Sequence, residues 1–96
     1  MPSDKEVVVE ITRNPLQPTI TVTFRGGKGQ IFVRDIEVKV TRSDGKVYID
    51  NLVPTVGDEA IFQGTKGKDR VEVTVFLTDG NQYKIIDALV DYYSHA

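Results

Sequence analysis

The chain has no cysteine, so a disulfide staple, a thiolate metal site and a cysteine nucleophile are all excluded, and nothing about redox compartment follows. Its one histidine, His95, stands next to the last residue with no second histidine near it, and a solvated tail residue is the expected role. Apolar runs stop at three residues, as in Val7 to Val9, far short of the roughly 20 needed to span a bilayer as a helix. The opening Met1-Pro2-Ser3-Asp4-Lys5-Glu6 has no signal-peptide core. Asn14, Asn51 and Asn81 are each followed by the wrong residues for N-glycosylation. Charge of one sign is also missing. Twelve Lys and Arg against fourteen Asp and Glu give a formal net charge of −2, which argues against an electrostatic footprint for nucleic acid or anionic lipid.

What remains is 96 residues with no internal repeat and no linker, expected to fold as a single domain over 1–96. A chain of that size buries roughly 60 to 65% of its unfolded surface, enough to fold without staples. Residues 1–5 are expected as a flexible stalk and 92–96 as a flexible tail.

The organising stretch is Arg70 to Val90. Val71, Val73, Val75 and Leu77 alternate with Glu72, Thr74, Phe76 and Thr78, a period of two that buries the first set. The Asp79-Gly80 pair predicts a tight turn, with positive φ at Gly80 and tolerated at Asp79, returning the chain as an antiparallel strand. Upstream, Glu6 to Thr12 is rich in β-branched residues and ends at a loop held by Pro15 and Pro18. Thr19 to Phe24 alternates threonines with Ile20, Val22 and Phe24. Ile31 to Thr41 follows, with Ile36, Val38 and Val40 on one face and Glu37, Lys39 and Thr41 on the other. Ser43-Asp44-Gly45 closes that strand onto Lys46 to Leu52, a short edge-like strand, and Glu59 to Gln63 sets Ala60 and Phe62 opposite Ile61. Ile85, Ile86, Leu89, Val90 and Tyr93 also fit a helical stripe, but a strand through about Val90 is preferred. The fold class is all-β, an antiparallel immunoglobulin-like β-sandwich of about seven short strands.

Few residues suggest chemistry. Arg25 to Gln30, RGGKGQ, is the stretch most like a phosphate cradle. It is followed by Ile31-Phe32-Val33 rather than a helix, so a structural turn is expected. Asp44, Asp50, Asp58, Asp69, Asp79 and Asp87 could converge on calcium at one end of a sandwich, but no EF-hand register is present and turn chemistry explains them better. Arg25, Lys28, Arg34, Lys39, Arg42 and Lys46 form a locally basic set that would suit an oligonucleotide-binding barrel. Asp35, Glu37 and Asp44 interrupt it, and only Phe32 and Tyr48 offer nearby stacking. Phe76, Tyr83, Tyr92 and Tyr93 are the aromatics expected to be partly exposed. No nucleophile and base can be paired, so the expectation is a non-enzymatic protein with no catalytic residues, no cofactor and no metal.

The order of several short elements resembles the exposed domain of archaeal type IV pilin-like proteins over residues 19–90. They are Thr21-Val22-Thr23-Phe24-Arg25-Gly26-Gly27, Ile36-Glu37-Val38-Lys39-Val40, Gly64-Thr65-Lys66-Gly67-Lys68-Asp69-Arg70-Val71-Glu72-Val73, Leu77-Thr78-Asp79-Gly80 and Asp87-Ala88-Leu89-Val90. The resemblance implies a cell-surface or extracellular structural or adhesive domain, with copies of itself or a surface protein or glycan as partners and no nucleic acid. Members are anchored through an N-terminal hydrophobic helix that this chain lacks, so any membrane link would depend on that missing helix. The alternative is a soluble immunoglobulin-like module that recognises a protein or glycan; an oligonucleotide-binding barrel comes behind both.

Overall fold

A computed structural model of the chain describes residues 2–92. Two antiparallel sheets pack face to face. One has three strands in the order β1-β2-β5, where β1 is Val8–Arg13, β2 is Thr19–Gly26 and β5 is Glu59–Gln63. The other has four in the order β4-β3-β6-β7, where β3 is Val33–Thr41, β4 is Val47–Leu52, β6 is Lys68–Leu77 and β7 is Gln82–Asp91. The chain changes sheets at β2–β3, β4–β5 and β5–β6, the weave of an immunoglobulin-like sandwich. β1 is not paired with β7, nor β4 with β5, so this is not a closed barrel.

Alternation decides which side chains meet between the sheets. Ile20, Val22 and Phe24 of β2 face Ile36, Val38 and Val40 of β3 and Val71, Val73 and Val75 of β6, all fully buried. Burying each such side chain is worth about 1.5 to 3 kcal/mol. Ala60 and Phe62 are buried on β5 while Ile61 faces solvent, as their phase requires.

Several boundaries differ from the sequence reading. The third strand starts at Val33 because Gln30–Phe32 forms a 3-10 turn that leaves Ile31 82% exposed. Its start is set by Gly29, where an added Cβ would lie 1.9 Å from the Lys5 carbonyl oxygen. The first strand runs from Val8 to Arg13 rather than from Glu6 to Thr12. Residues expected as a stalk contain a 3-10 turn at Ser3–Lys5, and the Glu6 carbonyl accepts the Gly29 N–H at 2.9 Å. Tyr92, placed with the tail, donates its N–H to the Gly67 carbonyl and its hydroxyl to the Pro15 carbonyl. Tyr93 and His95 lie outside the described residues.

Both Asp-Gly hairpins close in the same way, and only the glycine has positive φ. In the β6–β7 turn Gly80 sits at φ 90° while Asp79 does not have positive φ. Gly80 N–H donates to Leu77 O and Leu77 N–H to Asn81 O. The aspartate's part is to accept the Asn81 N–H on Oδ1. Asp44 does the same for Lys46 N–H before Gly45.

The tail pattern that also read as a helix is a strand. Between Val73 and Thr74 the β6–β7 register shifts, with Val73 opposite Ile86 and Thr74 opposite Lys84. Ile85 is the extra residue of a bulge, which lets adjacent Ile85 and Ile86 both pack against the core and breaks the clean alternation.

Candidate interaction surface and a buried ion pair

The largest departure from the sequence reading is Asp69. It belongs to β6 rather than to a turn, opposite Val90, and is fully buried. Its Oδ1 accepts the Ser43 N–H at 3.0 Å and the Thr65 hydroxyl at 2.7 Å; Oδ2 accepts the Thr65 N–H at 2.8 Å and faces an Arg13 guanidinium nitrogen at 2.8 Å. Burial alone would raise its pKa. The hydrogen bonds from Thr65, Ser43 and Arg13 outweigh that and hold the carboxyl below its ordinary range. Arg13 also donates to the Val90 and Thr65 carbonyls and lies against the Tyr92 ring. One charge pair therefore ties β1, β6, β7 and the β3–β4 turn together. A signal for it existed: Asp69 stands two residues before Val71, on the inward phase of that strand.

The other aspartates are used one at a time. Asp50 accepts the Asn51 N–H and Asp58 the Val53 N–H. Asp79 also meets Lys5, and Asp87 holds Arg70 through both oxygens at 2.8 and 2.7 Å. Hydrogen bonding from Arg70 lowers the Asp87 pKa. Among the described residues no group of three or more His, Cys, Asp or Glu side chains converges as a metal site.

The glycine-rich loop approaches protein rather than leaving space for a ligand. A Cβ on Gly27 would lie 2.5 Å from the Glu6 carbonyl oxygen, and the Gln30 and Phe32 amides donate to Gly27 and Gly29. The basic set is divided between the sheets. Arg25, on β2, pairs with Glu10 at 2.9 Å, whereas Lys39, on β3, stands opposite Glu72 of β6. Phe32 lies under the Lys5 ammonium, and Phe76 and Tyr83 are half-buried.

Part of the exposed apolar surface lies along β4 and β5, apart from isolated residues such as Leu16, Ile31 and Leu89. β4 and β5 are edge strands of their sheets. Val47, Ile49 and Ile61 are 47%, 59% and 65% exposed. Ile49 and Ile61 belong to a groove of about 400 Å³ lined also by Tyr48, Asp50, Phe62 and Gln63. Tyr48 and Asp50 have the same phase as buried Leu52 yet stay exposed, lining the groove with Ile61, Phe62 and Gln63 of β5. Arg42 spans it, stacking on Tyr48 at 5.6 Å and donating to the Gln63 carbonyl at 3.2 Å. By contrast, the outer face of β6 and β7 carries the ion pairs Arg70–Asp87 and Glu72–Lys84. A second groove, about 410 Å³, lies between β1 and β7 and includes Lys84 and Glu6.

The exposure of Tyr48 and Asp50 on β4 escaped the sequence reading because alternation alone cannot tell an inward phase that is covered from one that is not. Tyr48 and Val38 look alike until the partner sheet is seen to end at β5. The sequence matches no protein-family model and no curated protein.

Proposed function

We propose that the protein is a non-enzymatic structural or adhesive domain that binds another protein surface through its β4–β5 side. The observation that carries this reading is the exposed aliphatic pair Ile49 and Ile61 in the Tyr48–Gln63 groove, with exposed Val47 beside it on β4. Apolar residues gathered at two adjoining edges are the form in which soluble β domains present a contact face, and edge strands add backbone hydrogen bonding to it. Display at a cell surface is part of the proposal and rests on the pilin-like resemblance of residues 19–90 alone.

The test is binding of the fluorescently labelled domain to intact cells of its source. Ile49→Lys with Ile61→Lys is expected to remove binding, while Val8→Lys, at an exposed site on β1, retains it. Equal binding by all three proteins would refute this face as the contact surface.

A further inference from the structure

We infer that β4 pairs with β4 of a second copy of this chain, joining two four-stranded sheets about a two-fold axis. The inference rests on the reading of the β4–β5 side as the contact surface and names its occupant. The first observation is which backbone groups are free. Arg42 N–H donates to Lys46 O, so in this antiparallel pair the residues bonded toward β3 are Lys46, Tyr48, Asp50 and Leu52. Val47, Ile49 and Asn51 therefore point their N–H and C=O groups outward. Asn51 confirms the phase, since its N–H is taken by the Asp50 side chain rather than by β3.

The second observation is that the other edges are guarded. On the β1 side the register shift between Val8 and Val9 leaves Arg25 of β2 as the extra residue, and Glu10 of β1 is held in an ion pair with it. β7 is bulged against β6 and carries Lys84 in an ion pair. On β5, the outward Gln63 carbonyl is capped by Arg42. Bulges and inserted charges are how sheet edges avoid pairing. Val47 to Ile49 has neither.

The third is self-complementarity in one register. Placing Tyr48 opposite the partner's Tyr48 sets Val47 against the partner's Ile49 and Lys46 against the partner's Asp50. Val47 and Ile49 then exchange both of their hydrogen bonds with the partner's Ile49 and Val47. Aromatic, aliphatic and opposite-charge pairs across antiparallel strands each stabilise the join. The neighbouring register, with Ile49 opposite the partner's Ile49, would need the Asn51 N–H, which Asp50 already occupies. Such an arrangement is isologous and closes after two copies. It also places the two Tyr48–Gln63 grooves side by side at the axis.

Sedimentation equilibrium on the full chain up to about 1 mM protein, a range chosen because small interfaces bind weakly, reads the result. Wild type is expected to show a monomer–dimer equilibrium. Ile49→Pro removes an outward N–H without touching the β3–β4 ladder and is expected to be monomeric with an unchanged circular dichroism spectrum. Lys46→Asp sets like charges opposite each other twice per dimer, weakening association roughly tenfold. Adding Asp50→Lys to it restores opposite charges and is expected to restore the dimer. A wild type monomeric at every concentration overturns the inference; if Ile49→Lys with Ile61→Lys still abolishes cell binding, the contact surface stands and only its occupant is wrong. A dimer indifferent to Ile49→Pro, or a charge exchange that fails to restore association, equally overturns it.

Discussion

Replacing Asp69 by Asn keeps the shape of the side chain and removes its charge. In the wild type the two carboxylate oxygens accept from Ser43 N–H, Thr65 N–H, the Thr65 hydroxyl and Arg13. An amide has one acceptor oxygen, so its NH₂ must face donors, and Arg13, 8% exposed, is left as a buried cation without its counter-ion. Breaking a buried pair by removing one partner costs about 3 to 5 kcal/mol. That is a large share of the roughly 5 to 14 kcal/mol expected for a chain of this size. With a urea m-value of order 1 kcal/mol/M, the unfolding midpoint should fall by at least about 2 M. Arg13→Met is expected to cost less, because Asp69 retains its Ser43 and Thr65 donors. The double variant should be less destabilised than the two single losses summed, with a coupling of about 1 kcal/mol or more. Urea denaturation followed by circular dichroism gives all four values. An Asp69→Asn protein within about 1 kcal/mol of wild type would refute the assignment of Asp69 as the tie between the sheets.

Two further outcomes follow from the same geometry. Gly29→Ala drives a Cβ into the Lys5 carbonyl and should cost about 1 to 3 kcal/mol as an overpacking change, with loss of amide-exchange protection at Gly29; unchanged protection would mean that the Ser3–Lys5 turn does not rest there. The carboxyls of Asp69, Asp87 and Glu72 are all held below their ordinary values. Lowered folded pKa values give stability that is complete above the unfolded values near 4 and is lost as pH falls through the folded ones. The urea midpoint should therefore hold between about pH 6 and 8 and decline below about pH 4, where wild type and Asp69→Asn converge. A midpoint that rises on acidification would contradict the pairings.

The strands were legible wherever both sides of the alternation had a consequence. On β3 one phase is apolar and the other charged, on β6 the apolar phase alternates with Glu72, Thr74 and Phe76, and the structure buries Ile36, Val38 and Val40 and Val71, Val73, Val75 and Leu77. On β4 the alternation carries no such information, since Val47, Tyr48 and Ile49 are all exposed at an edge. Asp69 was read as a turn acid because Gly64, Thr65 and Gly67 precede it as turn residues, and two of its three partners, Arg13 and Ser43, come from positions that local spacing does not connect. A buried charge declares itself only when the chain has folded around it. The start of the third strand was missed for a related reason, because the constraint on Gly29 comes from Lys5.

The placement of the two ends of the described chain determines how the domain would carry tension. Lys5 meets Asp79 at the β6–β7 turn, whereas Tyr92 bonds to Gly67 and Pro15 at the opposite pole of a body 44 Å long. β1 and β7 therefore run the same way along the long axis, one in each sheet. A pull on the two ends would load the β1–β2 and β6–β7 ladders in shear, so that many hydrogen bonds must yield together instead of unzipping one by one. Arg13, reaching from β1 to Asp69 and the Val90 carbonyl, then acts as a crossbar between the two loaded strands, and force entering one sheet is shared with the other.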